Sequence, residues 1–232
     1  MSNMTSAISP TEPLTTHLLS LQAPRPYSAA TEHLFLTAAG DGNLPDELTS
    51  LYLSQDRPYA AHAYPAFIGW LLAAQRNQRI VRVLSDALQN VGREVGFFDE
   101  TAKAFGPQQS DSWRELKATR DFTAEMAHIG THGRIEDGLV FLWAMERVRI
   151  LDAWKYVGCL KSTHPHERGT TPAVAALVSN WTNPISLDIS SGSTVWQRAE
   201  SIWARVIEIE EAFWPVQSLG SAVTCRSQMT RI

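Results

Sequence analysis

Cysteine is scarce: the 232 residues contain only Cys159 and Cys225. The two are far apart and match no metal-binding or dithiol spacing. That argues against a disulfide framework, a zinc ribbon or a redox pair and leaves a reduced chain with inert thiols. Positive charge is not in excess either. Lys and Arg number 20 against 24 Asp and Glu, for a net charge of −4 and a pI of about 6.0. Without a basic face, a dedicated nucleic-acid binder is not expected. Long apolar runs are also missing. A long uncharged stretch, Pro58 to Gln75, holds two prolines, a histidine and two tyrosines, so it reads as a buried helix and not a membrane span. The N-terminus is polar, with no basic start followed by an apolar stretch, so a cytoplasmic chain is expected. Glycine-rich phosphate loops and nucleophile elbows are absent.

What is present is an ordinary globular balance, with 44% hydrophobic and 19% charged residues. At about 150 residues per domain this length predicts one domain. A chain of this size buries roughly 70% of its unfolded surface, enough for a substantial core with a site inside it. The organisation expected is a flexible N-terminal arm over 1–27, a single domain over 28–217 and a C-terminal tail over 218–232. The arm is rich in Ser, Thr and Pro and has room for one short turn at Leu18–Leu21.

The domain reads as helix throughout, with no sustained period-2 alternation between hairpin turns. A first helix spans Ser28–Ala39 and stops at Gly40-Asp41-Gly42-Asn43. A second starts at Pro45 and runs to Arg76, kinked or broken at Pro58 and Pro65. A third covers Arg79–Phe105. A fourth starts at an Asp111 cap and ends near Gly130–Gly133. A fifth spans Ile135–Leu160, a sixth Thr171–Trp181, and the last Ser193–Val216. About seven helices in one domain predict an all-α bundle with its site between helices.

Two glutamates stand out. On the fifth helix, Ile135, Leu139, Leu142, Trp143, Ile150, Ala153, Trp154 and Val157 share one face, with Glu146 at its centre. A carboxylate there must be paired, protonated or turned to a polar cavity. It is either an ion pair, with a neighbouring helix or with Arg149 one turn on, or a pocket carboxylate of perturbed pKa. On the last helix Glu210 lies beside the apolar face of Val206, Ile209, Phe213 and Val216, whereas Glu208 and Glu211 suit a solvated face. Asp56 and Tyr59, three apart around Pro58, form a polar pair that serves as a cap or holds a ligand. Glu125-x-x-His128 with His132 resembles part of a di-iron carboxylate site but lacks the other ligands. His164-Pro165-His166 is a loop pair. No metal is expected at either place.

Four segments in order resemble the TenA family, the thiaminase II-like proteins of thiamin salvage. They are His33-Leu-Phe with Gly40-Asp41-Gly42-Asn43-Leu44-Pro45; Tyr52-Leu53-Ser54-Gln55-Asp56 with Tyr59; Leu142-Trp143-Ala144-Met145-Glu146-Arg147-Val148; and Glu210-Glu211-Ala212-Phe213-Trp214. The third is similar to the WA-x-E segment of the branch lacking the active-site cysteine, and its style, with Asn180-Trp181-Thr182, is similar to fungal members. The resemblance implies the haem-oxygenase-like all-α fold without haem or other cofactor, and a homo-oligomer, dimer or tetramer. It implies a small-molecule substrate: hydrolysis of the exocyclic amine, or its formyl derivative, on a thiamin-derived aminopyrimidine. By position, Asp56 would hydrogen-bond the pyrimidine amine and ring nitrogen, and Glu210 would protonate the leaving group. Tyr59, Phe122, Trp181 and Phe213 would line the pocket, with Phe122 and Trp181 where the family stacks tyrosines. Met145 or Glu146 stands in the region of the thiolate, so Glu146 would act as general base on water. Arg149 departs from the pattern, standing where a tyrosine is usual. There it would lower the pKa of Glu146 or meet an anionic group of the substrate.

Three functions fit this reading. The first is an aminopyrimidine hydrolase. The second is a diverged enzyme of specialised metabolism that rearranges or cyclises a small molecule in the same pocket. The third is a non-catalytic ligand-binding or regulatory protein.

Overall fold

The computed structural model describes residues 14–41, 43–73, 75–104, 114–149 and 194–215. They form helices α1 (Leu14–Ser20), α2 (Ser28–Thr31), α3 (Leu34–Gly40), α4 (Asp46–Pro58), α5 (Tyr64–Ala73), α6 (Gln78–Ala104), α7 (Lys117–His132), α8 (Ile135–Glu146) and α9 (Thr194–Phe213). A π-helical turn, Tyr59–Ala63, joins α4 to α5. No strand occurs among the described residues. The sixth predicted helix, the Asp111 cap, Pro165 and the tail lie outside them.

Punctuation in the sequence sets most boundaries. Pro45 sits in extended backbone just before α4, and Asp46 and Glu47 place negative charge at the positive end of the helix dipole. Pro58 has no N–H, and its ring crowds the preceding turn. The chain answers with a register slip rather than a break. The N–H of Tyr64 reaches back to the carbonyl of Tyr59, an i→i+5 bond. Pro65 is the second residue of α5, just after the π turn, and the helix continues through it.

Two expected elements come out differently. The helix read over Ser28–Ala39 is two short helices separated by Glu32-His33, because the His33 Nδ1 accepts the N–H of Phe35 at 3.2 Å and starts α3 afresh. Residues 14–20, read as part of a loose arm, form α1. Leu14 and Leu18 join the main core, and His17 meets Glu200 of α9 at 2.7 Å and the Trp196 ring at 5.0 Å. Burying one leucine face is enough to order this short helix against α9.

The core sits around α8 and α9, which pack along each other, while α5 lies against α6 and α7. Helix α8 is buried nearly all round, at residues 137, 138 and 140–145. Its single apolar face, as predicted, is therefore too narrow a description: Ile135 and Leu139, placed on that face, are only partly buried. Gly138 permits the close approach of α5, since a Cβ there would stand 2.3 Å from Leu71 Cδ2. The N-terminus of α8 is fixed by Asp137, which accepts from the Arg134 N–H at 3.1 Å and pairs with Arg198 at 2.9 Å. A second cluster of Phe35, Leu36 and Trp214 closes the other end of α9, where Trp214 Nε1 donates to the Ala30 carbonyl at 2.9 Å. No helix among the described residues is long and apolar enough to cross a membrane.

Candidate functional site

Helix α4 and the π turn supply the first wall of the site. Tyr52, Asp56 and Tyr59 fall at i, i+4 and i+7 and so share a face. The Tyr52 hydroxyl donates to Asp56 Oδ2 at 3.0 Å. Gln55 turns the other way and ties α4 to the start of α7: its Oε1 accepts from the Leu116 N–H and the Thr119 hydroxyl, each at 2.7 Å. That clamp sets the position of Phe122 one turn further along α7. Helix α9 brings Glu210 and Phe213 from the opposite side.

Arg149 fills the centre. It follows α8 in a wide turn over residues 147–149. Its Nη1 donates to Asp56 Oδ1. Its Nε donates to both oxygens of Glu210, at 2.9 and 3.2 Å. The guanidinium carbon lies 4.0 Å from the Tyr59 ring centroid, 4.5 Å from Phe213 and 5.0 Å from Phe122. The rings brace one another edge to face, Tyr59 with Phe122 at 5.0 Å and Phe122 with Phe213 at 6.0 Å. Exposure is 3% for Asp56, 9% for Arg149 and nil for Glu210, so the network is dry.

Burial alone would depress the pKa of Arg149, but the carboxylates of Glu210 and Asp56 outweigh it and hold the guanidinium well above its usual range. Burial pushes Glu210 above the ordinary carboxylate range against the pull of Arg149. Burial likewise raises the phenol of Tyr59.

Glu146 takes a different partner from the one expected. It does not pair with Arg149, three residues on. Its Oε1 accepts from the Tyr64 hydroxyl instead. Burial raises its pKa to about 7, opposed by the Tyr64 hydrogen bond and then by the charge of Arg149. The predicted lowering by Arg149 is therefore present but loses to desolvation. Beside it, the buried Met145 sulfur accepts from the Tyr59 hydroxyl at 3.7 Å.

Of the residues singled out in the sequence, Asp56, Tyr59, Phe122, Met145, Arg149, Glu210 and Phe213 come together, with Glu146 adjoining them through Arg149 and Tyr59. Trp181 lies outside the described residues. The space between Asp56 and Glu210, expected to hold a ligand, is taken by the Arg149 side chain. Tyr64 was missed. Five residues from Tyr59 is the wrong spacing for one face of an α-helix but roughly one turn of a π-helix, and Pro58 was the available signal. Glu125 pairs with Arg205 at 3.1 Å, and His128 stacks on His132 at 5.4 Å on the surface. His164 and His166 lie outside the described residues. Among the described residues no group of three His, Cys, Asp or Glu side chains could hold a metal.

No protein-family model and no curated protein sequence matches the chain. Solved structures do. A TenA homologue from Pyrococcus furiosus superposes with a TM-score of 0.68 at 16% identity, over 81% of this chain and 92% of its own. A TenA family transcription regulator from a Silicibacter species gives 0.70 at 17%, over 88% and 96%. A TenA homologue from P. horikoshii gives 0.65 at 19%, over 81% and 90%. The fold is thus the haem-oxygenase-like, all-α fold of these proteins.

Proposed function

We propose that this chain is an enzyme of small-molecule metabolism on the TenA-like scaffold, working by carboxylate acid–base chemistry, and that its reaction has diverged from aminopyrimidine hydrolysis. The observation that carries this reading is the Arg149 guanidinium seated between Asp56 and Glu210. To bind an aminopyrimidine, Asp56 must accept from the ring amine and Glu210 must face the leaving group. Here Asp56 already accepts from Arg149 and Tyr52, and Glu210 from Arg149. A ligand amine would meet N–H donors where it needs acceptors, which is unfavourable in a dry site.

Glu146 is the group left for chemistry. With a pKa of about 7 it is part protonated at neutral pH and suited to take or give a proton. Its hydrogen bond from Tyr64 fixes its orientation. The neighbouring fixed cation would stabilise negative charge developing on a substrate oxygen. We read the reaction as a proton-transfer rearrangement or cyclisation of a small molecule bearing an acceptor such as a carbonyl. Incubating metabolite extracts with wild type and with Glu146→Gln tests it. The expected outcome is a compound consumed by the wild type alone, with a pH–rate profile bending near neutrality. Equal activity of the two proteins on every compound overturns it.

Aminopyrimidine hydrolysis remains as a second reading because Asp56, Tyr59, Phe122, Met145, Glu210 and Phe213 converge as it requires. It needs Arg149 to leave the site. Ammonia release by the wild type from an aminopyrimidine or its formyl derivative decides in its favour.

A further inference from the structure

Helix α7 ends in a pair of histidines. His128 and His132 are four residues apart, so both rings leave the same face of the helix. Both are exposed, and their ring centroids lie 5.4 Å apart with the planes 22° from parallel. A hydroxyl fixes the tautomer of one ring. Thr131 Oγ1 lies 2.6 Å from the Ala127 carbonyl, to which it donates its only proton. The same oxygen lies 2.8 Å from His132 Nδ1 and has only lone pairs left to offer there, so Nδ1 carries the hydrogen. The lone pair of the neutral His132 ring is thereby on Nε2, and the other nitrogen is anchored, the arrangement of a metal-ligating histidine. His132 is also the last residue of α7, where the negative end of the helix dipole favours a cation. The sequence expectation of no metal here rested on the missing ligands of a di-iron centre. Those stay missing, since Glu125, one turn before His128, is taken by Arg205 at 3.1 Å. Two imidazoles on successive turns of one helix face are nonetheless a chelate by themselves.

We propose that His128 and His132 form a chelating site for a borderline first-row divalent ion such as Zn²⁺. The ligands are the Nε2 of His132, oriented by Thr131, and a ring nitrogen of His128. Metal–nitrogen bonds of about 2.1 Å need the two nitrogens within roughly 4 Å of each other. Side-chain rotation of two exposed, nearly parallel rings supplies that closure. Water completes the coordination. A pair of imidazoles suits Zn²⁺, Cu²⁺ and Ni²⁺ and not Mg²⁺ or Ca²⁺, which take oxygen ligands. The site lies outside the Arg149 network. It stands whether or not Glu146 performs chemistry, since metal binding is read without turnover.

The test is calorimetric titration of the full-length chain with zinc chloride, with magnesium chloride as control. His128→Ala and His132→Ala are titrated in parallel, together with His62→Ala, which removes an exposed histidine of the π turn. Sites elsewhere on the chain, the two cysteines included, remain in every variant, so the difference between proteins isolates this pair. Wild type is expected to bind Zn²⁺ and not Mg²⁺. His128→Ala and His132→Ala should each weaken Zn²⁺ binding at least about ten-fold, because loss of either ring turns a chelate into a single contact. The double variant should add little to either single loss, and His62→Ala should match wild type. Wild-type affinity for Zn²⁺ in either His128→Ala or His132→Ala, Zn²⁺ binding no tighter than Mg²⁺, or an equal loss in His62→Ala overturns the proposal.

Discussion

Replacing Glu146 by glutamine should change how stability depends on pH. Glu146 has its pKa raised from 4.5 to about 7 on folding, mainly because burial penalises the carboxylate. A raised acid contributes stability in full below pH 4.5 and loses it as pH climbs through about 7, because the unfolded chain ionises first. Each unit of difference is worth about 1.4 kcal/mol. The folded state therefore carries a handicap of about 1 kcal/mol at pH 5 that grows to on the order of 3 kcal/mol at pH 8. Glutamine keeps a hydrogen-bonding partner for Tyr64 and cannot ionise. Relative to wild type, Glu146→Gln should gain about 2 kcal/mol of unfolding free energy between pH 5 and pH 8. Urea denaturation followed by the fluorescence of the eight tryptophans measures this. Part of the wild-type slope should survive in the variant, because burial raises Glu210 in the same direction. If the gap between the two proteins stays constant over that range, Glu146 does not sit in a desolvated place and its acid–base role goes with it.

Arg149→Met leaves Asp56 and Glu210 buried without their cation, and should cost about 3–5 kcal/mol at pH 8. The loss should shrink at pH 5 as Glu210, whose pKa burial already raises, takes up a proton, and the same urea series reads it. Replacing all three charges together, Asp56→Leu/Arg149→Met/Glu210→Leu, should return stability to within about 2 kcal/mol of wild type, because no charge is then left unpaired. Thermal unfolding midpoints of the single and triple variants make that comparison. Gln55→Ala removes the acceptor shared by the Leu116 N–H and the Thr119 hydroxyl, and should cost about 2 kcal/mol. Faster amide exchange at the start of α7 should accompany it.

Local signals were enough for much of the fold. Gly, Pro and cap residues placed α6 within a residue at each end, and Pro58 marked the slip that turns α4 into α5. Glu210 was separable from Glu208 because it lies beside an apolar stripe, and the structure buries the first while leaving the second exposed beside Arg205. What escaped was set by distant partners. Helix α1 orders because the core takes up Leu14 and Leu18 while Trp196 and Glu200 of α9 receive His17. The narrow apolar face read on α8 failed because elements packed around it bury both sides. Arg149 and Glu146, three residues apart, seemed natural partners, but the better acceptors for the guanidinium lie 61 and 93 residues away, and no local spacing announces them.

Three ionisable groups among Tyr59, Phe122 and Phe213 are hard to account for by stability. A buried ion network gains little over a well-packed apolar filling of the same volume, since desolvation consumes most of the Coulombic attraction. A methionine or leucine could seal the space between α4, α7 and α9 without any charge. The proposed function gives Asp56, Arg149 and Glu210 a different return, in what the charges would do to another molecule. An arginine at 149 reverses the hydrogen-bonding polarity of the site. The two carboxylates stop acting as open acceptors and become anchors, while Nη2 is left as a fixed donor with no acceptor among the described residues. A site of acceptors selects amines; a site presenting one rigid cation beside a half-protonated carboxylate selects a carbonyl or another acceptor and can exchange a proton with it. On the proposed function, a side chain too short to reach Asp56 at this position would return the two carboxylates to open acceptors, and residue 149 would set which of the two chemistries the scaffold supports.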